Sequence, residues 1–439
     1  MPAGELPIAT ADRDERGDGG YEVRCVLKKI DVEQLRPGMF LKELCGSWMD
    51  HPFWNTKFLL QDPADLARIR ESGIKQCWID TSKGLDVESG TSQTLDEARA
   101  QTEETLIQVS QSPAPVIEAA SAAEELKRAR LICAKAKKAV VSMFKEARMG
   151  QSIQTEGLGP LVEDITASVL RHPGALISLA RLKNQDDYTY MHSVAVCGLM
   201  VALAKRLGLD DETTREAGMA GLVHDLGKAR IPLEILNKPG KLTDEEFAIV
   251  KHHPTAGHEM LLEAGGVGPL PLDVALHHHE KVDGSGYPHK LVAENISLFA
   301  KMGAVCDVYD AITSNRPYKA GWDPAEALRK MTEWAPGHFD DTIFRAFVKS
   351  VGIYPLGSLV RLQSGMLAIV CETRPEALLK PVVKTFYCTR RRERMHVKLI
   401  DLSKANVADR IVSWEAREKW PFRDLDELWT PAGVSAVPA

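Results

Sequence analysis

Residues 221–232 read GLVHDLGKARIP, and the adjacent pair His224-Asp225 in this stretch is the point around which the chain is organised. Four further stretches carry histidine or aspartate in an otherwise apolar setting: YTYMHSVAV (188–196), VKHHPTAGH (250–258), ALHHHEKVDGSGYP (275–288) and KMGAVCDVYDAITS (301–314). Nine of the thirteen histidines lie between positions 192 and 289. This concentration indicates that the function resides between residues 186 and 320.

Helix signals dominate this region. Apolar residues at helical spacing predict three helices, at 188–206, 211–226 and 294–314. They carry, in order, His192, the His224-Asp225 pair and Asp307. Thr243 and Glu246 form a capping box, which predicts the start of a helix carrying His252 and His253. A further helix is expected to end in the histidine triplet at 277–279, so the region is predicted to be all-α.

The chain is predicted to be multidomain, with different patterns on either side of this all-α core. Before it, short strand and helix signals predict a small mixed α/β domain, and after it, alternating stretches such as VVKTFYC (382–388) predict a small β-rich unit. The expected boundaries are a disordered start at 1–22, the α/β domain at 23–87, a polar and partly helical linker at 88–120, the helical domain at 121–350, the β-rich unit at 351–425 and a loose tail at 426–439. Helices predicted between 122 and 183 either pack on the histidine-rich core or pair with a second chain in a homodimer.

Composition narrows the class of protein and its partners. The 439 residues are 44% hydrophobic and 26% charged, with a net charge of −6, so DNA is not an expected partner. The arginines at 390–392 and 394 are expected to form a solvated edge. None of the eight cysteines forms a CxxC pair, and no apolar run reaches the length of a membrane span. These features predict a cytoplasmic protein in a reducing compartment, without membrane contact.

The histidines and aspartates together point to a dinuclear metal site. A single histidine on an apolar helix face is more often a core or surface residue than a ligand. An adjacent His-Asp pair, two more histidine clusters and Asp307 in an apolar helix are harder to explain as core filling, since a buried carboxylate is costly unless it is paired. Two metals held this way would polarise phosphoryl oxygens and convert a bound water to hydroxide, the two-metal route to phosphodiester hydrolysis.

These motifs carry a strong resemblance to a known family. His192, HDLGK (224–228), KHHP (251–254), HHHE (277–280), DGSGYP (283–288) and CDVYDAITSNRPYK (306–319) together resemble an HD-GYP domain over roughly residues 180–350. The resemblance implies a bacterial signalling phosphodiesterase that hydrolyses cyclic di-GMP to pGpG and, with a second cleavage, to GMP. LRPGMFLKEL (35–44) resembles the small domain that often precedes HD-GYP domains, for which an input signal or a signalling partner protein is expected.

The resemblance also assigns roles to individual residues. The matched metal ligands are His192, His224, Asp225, His253, His278, His279 and Asp307. Asp225 matches the bridging carboxylate, while His252 and His277 are expected to be neighbours and not ligands. Two divalent metal ions are implied, with iron or manganese favoured and zinc, nickel or magnesium as alternatives. The matched substrate contacts are Lys228, Tyr287, Arg316 and Lys319, and Asp225 and Lys228 are expected to be catalytic.

The sequence departs from the family pattern at two positions. Tyr188 stands where relatives with a third metal carry a glutamate, which favours a two-metal site. Lys290 stands where the family commonly has glycine, which affects the fine geometry of the loop that follows the GYP motif.

Two rival functions are also compatible with these motifs. The first is a sensor that binds cyclic di-GMP or a partner without turnover. The second is a phosphohydrolase for another nucleotide, such as a mixed cyclic dinucleotide.

Overall fold

A computed structural model of the chain contains a helical core and two five-stranded antiparallel sheets, one on each side of the core in chain order. It describes residues 27–45, 57–87, 92–110, 122–151, 153, 155, 157–181, 188–238, 240, 242–314, 321–373 and 377–430. None of the described helices combines the length and hydrophobicity needed to cross a lipid bilayer. The multidomain fold predicted from the sequence is confirmed, while the expected disorder at 1–22 lies outside the described residues.

The N-terminal sheet has the strand order β3-β2-β4-β1-β5. Its elements are β1 (Leu27–Asp31), β2 (Phe40–Cys45), β3 (Phe58–Leu59), α1 (Pro63–Glu71), β4 (Gln76–Asp80) and β5 (Ser92–Thr94). α1 starts where Asp62 accepts a hydrogen bond from the amide of Ala64, as an N-cap does. Ile30, Leu41 and Ile79 are buried in the core of this unit.

The segment predicted as a linker at 88–120 contains a strand and a helix. β5 completes the N-terminal sheet by pairing with β1, and α2 (Leu95–Ser110) follows it directly. Among the described side chains of α2, the buried ones are Ala98, Thr102 and Val109, which lie on one helical face. The helical part expected for this linker is α2, while the strand β5 has too few apolar residues to be predicted from the sequence.

The helical core is built from α3 to α14. The bounds are α3 (Ala122–Arg148), α4 (Leu158–Arg171), α5 (Pro173–Arg181), α6 (Tyr188–Arg206), α7 (Asp211–Val223), α8 (Leu233–Leu236), α9 (Asp244–Val250), α10 (His253–Ala264), α11 (Pro269–His277), α12 (Leu298–Thr313), α13 (Pro324–His338) and α14 (Asp341–Val351). Cys133 of α3, Ile165 of α4 and Leu176 of α5 share one buried cluster with Cys197 and Leu222. The helices predicted between 122 and 183 therefore pack on the histidine-rich core.

Two helix predictions need correction in detail. The helix that starts at the Thr243 capping box ends at Val250, and His253 begins a separate helix. The cause is Pro254, which lacks an amide hydrogen and is tolerated only in the first turn of a helix. α12 begins at Leu298 because the Ser297 side chain accepts the amide of Ala300 there.

The C-terminal sheet has the strand order β10-β6-β7-β8-β9. Its strands are β6 (Leu359–Leu362), β7 (Met366–Glu372), β8 (Val382–Cys388), β9 (Glu393–Asp401) and β10 (Ile411–Trp414). The tail predicted from residue 426 starts too early, because α15 (Leu425–Trp429) follows the sheet. Leu425 and Trp429 lie one helical turn apart and are both buried in the same cluster as α3 and α4.

Candidate metal centre

Seven side chains of the helical core converge in its interior, and each of them is buried. They come from the middle or the ends of helices: His192 lies within α6 and Asp307 within α12, while the others lie at helix ends. These seven are the predicted ligands, namely His192, His224, Asp225, His253, His278, His279 and Asp307. Among the described residues the structure thus brings the whole predicted set together, and it leaves His252 and His277 outside.

The His224-Asp225 pair depends on a change of backbone conformation at the end of α7. His224 is still helical, whereas Asp225 has left the α-helix (φ −101°, ψ 9°) and begins a 3-10 helix at Leu226–Arg230. The change lets two consecutive side chains face the same centre. Gly227 is required next, because a Cβ there would lie 1.9 Å from the carbonyl oxygen of His253. The absence of that atom allows the 3-10 helix to cross α10 closely.

Asp225 lies between two groups of donors, and its two oxygens face different groups. Oδ2 lies 3.4 Å from Nε2 of both His192 and His224. Oδ1 lies 3.2 Å from Nε2 of His253 and 3.8 Å from Nε2 of His278. Asp225, His253, His278 and His279 form one cluster of candidate ligand atoms within 4.8 Å of one another, and His192, His224 and Asp307 form the other. A single carboxylate is therefore positioned to join two ion sites.

Three of the five imidazoles are oriented by a hydrogen bond from Nδ1 to a backbone carbonyl. Nδ1 of His224 and of His253 each lies 2.7 Å from a backbone carbonyl oxygen one helical turn earlier. His278 makes the same kind of contact with Val274 at 3.0 Å. A ring that donates from Nδ1 to a carbonyl carries its lone pair on Nε2, and Nε2 is the atom that faces Asp225. The helix backbone thus fixes the tautomer that a metal requires.

The donor set fits divalent metal ions. Nε2 of His224 and Oδ1 of Asp225 are buried and have no hydrogen-bond partner in the described part of the chain. Burial raises the pKa of Asp225, but Lys228 and His224 outweigh it and hold the pKa well below its usual range. Burial, together with His224 and His253, lowers the pKa of His278 to about 3. Ionised carboxylate and neutral imidazole are the forms that bind metal.

The open side of the centre is bordered by Lys228 and by the GYP loop, which we define as residues 281–291. Lys228 Nζ lies 2.5 Å from Asp225 Oδ2, and a fifth of its side chain is exposed. The ring of Tyr287 stacks on His279 with 4.7 Å between ring centroids and 26° between planes. The other predicted substrate contacts, Arg316 and Lys319, lie outside the described residues.

Two residues of the centre were not identified from the sequence. Asp310 accepts from His192 Nδ1 at 2.7 Å, so a carboxylate takes the place that a backbone carbonyl has for His224 and His253. Glu280 is buried, and its two oxygens accept the amides of His289 and Leu291 at 2.7 and 2.9 Å. The spacing of Asp307 and Asp310 on one helical face was a usable signal for the first. The bonds of Glu280 to the loop had no signal in the sequence.

The two departures noted in the sequence also have a structural setting. α6 begins at Tyr188, whose side chain is not among those described. Lys290 has φ of +55°, in the left-handed region that favours glycine. The loop therefore has the backbone conformation that the family's usual glycine would suit, but with a lysine in it.

The chain is similar to known protein families and relatives along most of its length. Residues 161–343 match the model of the HD domain, and residues 27–158 match a domain of unknown function (DUF3391). A cyclic di-GMP phosphodiesterase of Pseudomonas aeruginosa is 56% identical over 406 residues, which is 92% of this chain and 96% of that protein. A cyclic di-GMP phosphodiesterase response regulator of Xanthomonas campestris is 47% identical over 30% of this chain and 35% of its own length.

A third relative is similar over a shorter part of the chain. It is a 3'3'-cGAMP-specific phosphodiesterase of Vibrio cholerae, 36% identical over 38% of this chain and 38% of its own length. The long match to the Pseudomonas protein covers both sheets and the core, whereas the shorter matches are confined to about a third of the chain. With the HD motif and the GYP loop in place, the chain belongs to the HD-GYP family of the HD superfamily.

Proposed function

We infer that the protein is a metal-dependent phosphodiesterase that hydrolyses cyclic di-GMP to pGpG, with GMP as the product of a second cleavage. The observation that carries this inference is the position of Asp225, whose two oxygens face two separate groups of buried donors. The name of the Pseudomonas relative, which matches nearly the whole chain, supports the choice of substrate.

The seven converging side chains are proposed to hold two divalent ions, with Asp225 shared between them. Five histidines and two carboxylates suit iron or manganese best, and zinc, nickel and magnesium are alternatives. When bound, such a pair supplies polarisation of the phosphoryl oxygens and activation of the attacking water. Because every donor is buried, the ligands need little rearrangement to receive the ions.

The chain's own residues then bind and orient the substrate. Lys228 stands at the edge of the buried centre, where its ammonium group offsets negative charge that develops on a phosphate. Tyr287 presents a ring face beside the centre, and a ring in that position can contact a base or ribose of the dinucleotide. Arg316 and Lys319 are proposed as further phosphate contacts on the strength of the family resemblance alone.

The location proposed for the enzyme is the cytoplasm. Seven cysteines in the described residues are all unpaired, and five of them are buried. Unpaired, buried thiols are typical of proteins that fold in a reducing compartment. A homodimer and a signalling partner remain proposals, which light scattering and affinity capture of the full chain would test.

The test combines metal content and activity on one sample. The protein is purified anaerobically, its metals are counted per chain by elemental analysis, and the same sample is assayed with cyclic di-GMP and with 3'3'-cGAMP. Two ions per chain and faster release of pGpG or GMP from cyclic di-GMP are expected. Faster cleavage of 3'3'-cGAMP would favour the mixed dinucleotide as the substrate. Two ions with tight binding but no product would refute the enzyme in favour of a sensor, and failure to load metal would refute the centre.

A Lys228→Met variant separates catalysis from metal binding. Its side chain is unbranched like that of lysine, one atom shorter and without charge, so we expect two ions per chain and a kcat lower by about a hundredfold. Wild-type kcat in this variant would contradict the role proposed for Lys228.

A further inference from the structure

We propose that Lys75, in the N-terminal sheet unit, is a positioning residue for the GYP loop and sets the position of Tyr287 over the metal centre. The inference rests on the proposed function insofar as Tyr287 contacts the substrate. It gives the N-terminal unit a role in the reaction, although this unit contributes none of the seven converging side chains.

The contact itself joins parts of the chain that are 208 residues apart. Lys75 Nζ donates to Asp283 Oδ2 at 2.7 Å. The other oxygen of Asp283 accepts from the amide of Ser285 at 3.0 Å and from its hydroxyl at 2.6 Å. One carboxylate therefore holds the N-terminal unit on one side and the turn of the GYP loop on the other.

The base of the loop is held by the end of α13. The amides of Val282 and Asp283 donate to the carbonyl oxygens of His338 and Gly337, at 3.3 and 3.1 Å. Gly337 has φ of +87° and breaks the helix next to Pro336, which turns these carbonyls toward the loop. A Cβ on Gly337 would lie 3.2 Å from Asp283 Oδ2 and 3.5 Å from Lys75 Nζ. The helix end, the loop and Lys75 thus meet closely at one point.

A short path leads from this point to the metal centre. Tyr287 lies four residues after Asp283, and its amide donates to the carbonyl oxygen of His279 at 3.2 Å. Its ring stacks on the same histidine. A shift of Asp283 therefore moves the turn whose far end lies against a predicted metal ligand.

A second ion pair places the N-terminal unit so that Lys75 reaches the loop. Lys330 of α13 is buried, and its Nζ lies 2.7 Å from Glu43 of β2 and 3.5 Å from Glu333. Between this pair and Lys75 lies a cleft of about 430 Å³, lined by both units. The unit is thus attached to α13 directly, and it reaches the GYP loop through Lys75 at the edge of the cleft.

The size of the expected effect follows from the exposure of Lys75. Two thirds of its side chain is exposed, whereas the side chain of Asp283 is largely covered. Ion pairs of this kind contribute little free energy, which corresponds to about a twofold to fivefold change in an equilibrium. The contact is therefore suited to biasing the position of a loop and not to holding the fold together.

The experiment compares Lys75→Arg, Lys75→Met and Lys75→Asp in the full chain by two measurements. The first is hydrogen exchange of the GYP-loop amides in the metal-free protein, and the second is KM and kcat for cyclic di-GMP with metal loaded. Lys75→Met is expected to speed loop exchange and raise KM about twofold to fivefold, with kcat changed less. Lys75→Arg keeps the charge and is expected to stay near wild type, whereas Lys75→Asp repels Asp283 and is expected to have the largest effect.

Lys83→Met is the matched control. Lys83 is also an exposed lysine paired with a buried aspartate, Asp80, but that pair lies entirely within the N-terminal unit. Lys83→Met is expected to leave hydrogen exchange of the GYP loop and KM unchanged. If Lys75→Met and Lys75→Asp behave like this control in both measurements, the inference is overturned. A wild-type protein without turnover would instead refute the proposed function, and loop exchange would still decide the role of Lys75.

Discussion

The metal centre and the GYP loop lie side by side but are held in place by different means. At the centre, His224, His253 and His278 each bond to a backbone carbonyl that lies three or four residues earlier in the chain. The GYP loop is fixed by partners that are distant in sequence, such as Lys75 and the carbonyls at the end of α13. One region is ordered by local helix geometry and the other by the way separate units pack.

This difference suggests a division of tasks. A metal site needs donors fixed within a few tenths of an ångström, and the backbone of a helix is rigid enough to hold side chains in such positions. A loop that admits a dinucleotide and releases its product has to move, and weak, partly exposed contacts permit this. We therefore expect changes at the centre to abolish chemistry or metal binding, and changes at the loop to alter substrate affinity by smaller factors.

The largest effect is expected for Asp225→Asn. The substitution keeps the shape of the side chain but removes the charge that faces both donor groups. Loss of about 4 kcal/mol of transition-state stabilisation would lower kcat roughly a thousandfold. Steady-state kinetics and elemental analysis would measure this, with circular dichroism to verify folding.

Asp273→Asn is a suitable control for that variant. Asp273 also accepts from a histidine, His277, at 2.8 Å, but it lies outside both donor groups. Its kcat and metal content are expected to stay near those of the wild type. Equal losses in the two variants would mean that Asp225 has no special position in the centre.

Asp310→Asn changes a residue that orients a predicted metal ligand, His192, without being a ligand itself. Asp310 orients His192 through Nδ1 and also contacts the hydroxyl of Ser314. Loss of such a partner typically lowers metal affinity or activity about 10-fold to 100-fold. A competition titration with a metal chelator would measure the affinity. The control is Asp340→Asn, which removes a carboxylate outside the metal centre but keeps an effective N-cap for α14, so it should leave metal affinity unchanged.

The same contrast explains what the sequence could and could not predict. α6 was predicted with its observed bounds, because apolar residues at helical spacing are visible in the sequence. The histidine clusters were visible in the same way, but the choice of the seven side chains that converge, such as His253 and not His252, came from the family resemblance. Asp310 was missed although it lies one turn from Asp307. The contacts of Glu280 and Lys75 had no local signal, since they depend on how a loop and a separate unit pack against the core.

A smaller effect is expected at the loop for Glu280→Gln. Both carboxylate oxygens of Glu280 accept loop amides, so an amide nitrogen in place of one oxygen would leave a buried N–H group unpaired. A cost of about 1–3 kcal/mol is typical, and part of it should appear as a roughly tenfold rise in KM. Glu246→Gln, in the exposed capping box of α9, removes a similar bond far from the loop and should leave KM unchanged. A loss of metal affinity in Glu280→Gln, with KM intact, would contradict the division between centre and loop.

The smallest effect, and one of opposite sign, is expected for Lys290→Gly. Lys290 has φ of +55°, and a side chain in this conformation costs about 1–2 kcal/mol relative to the right-handed region. Glycine removes that cost but adds freedom to the unfolded chain, which offsets about half of the gain. Unfolding in denaturant should therefore show about 0.5–1 kcal/mol of added stability. If stability falls instead, the lysine side chain makes contacts that outweigh its backbone strain. The GYP loop would then be held by more than the exposed Lys75–Asp283 ion pair.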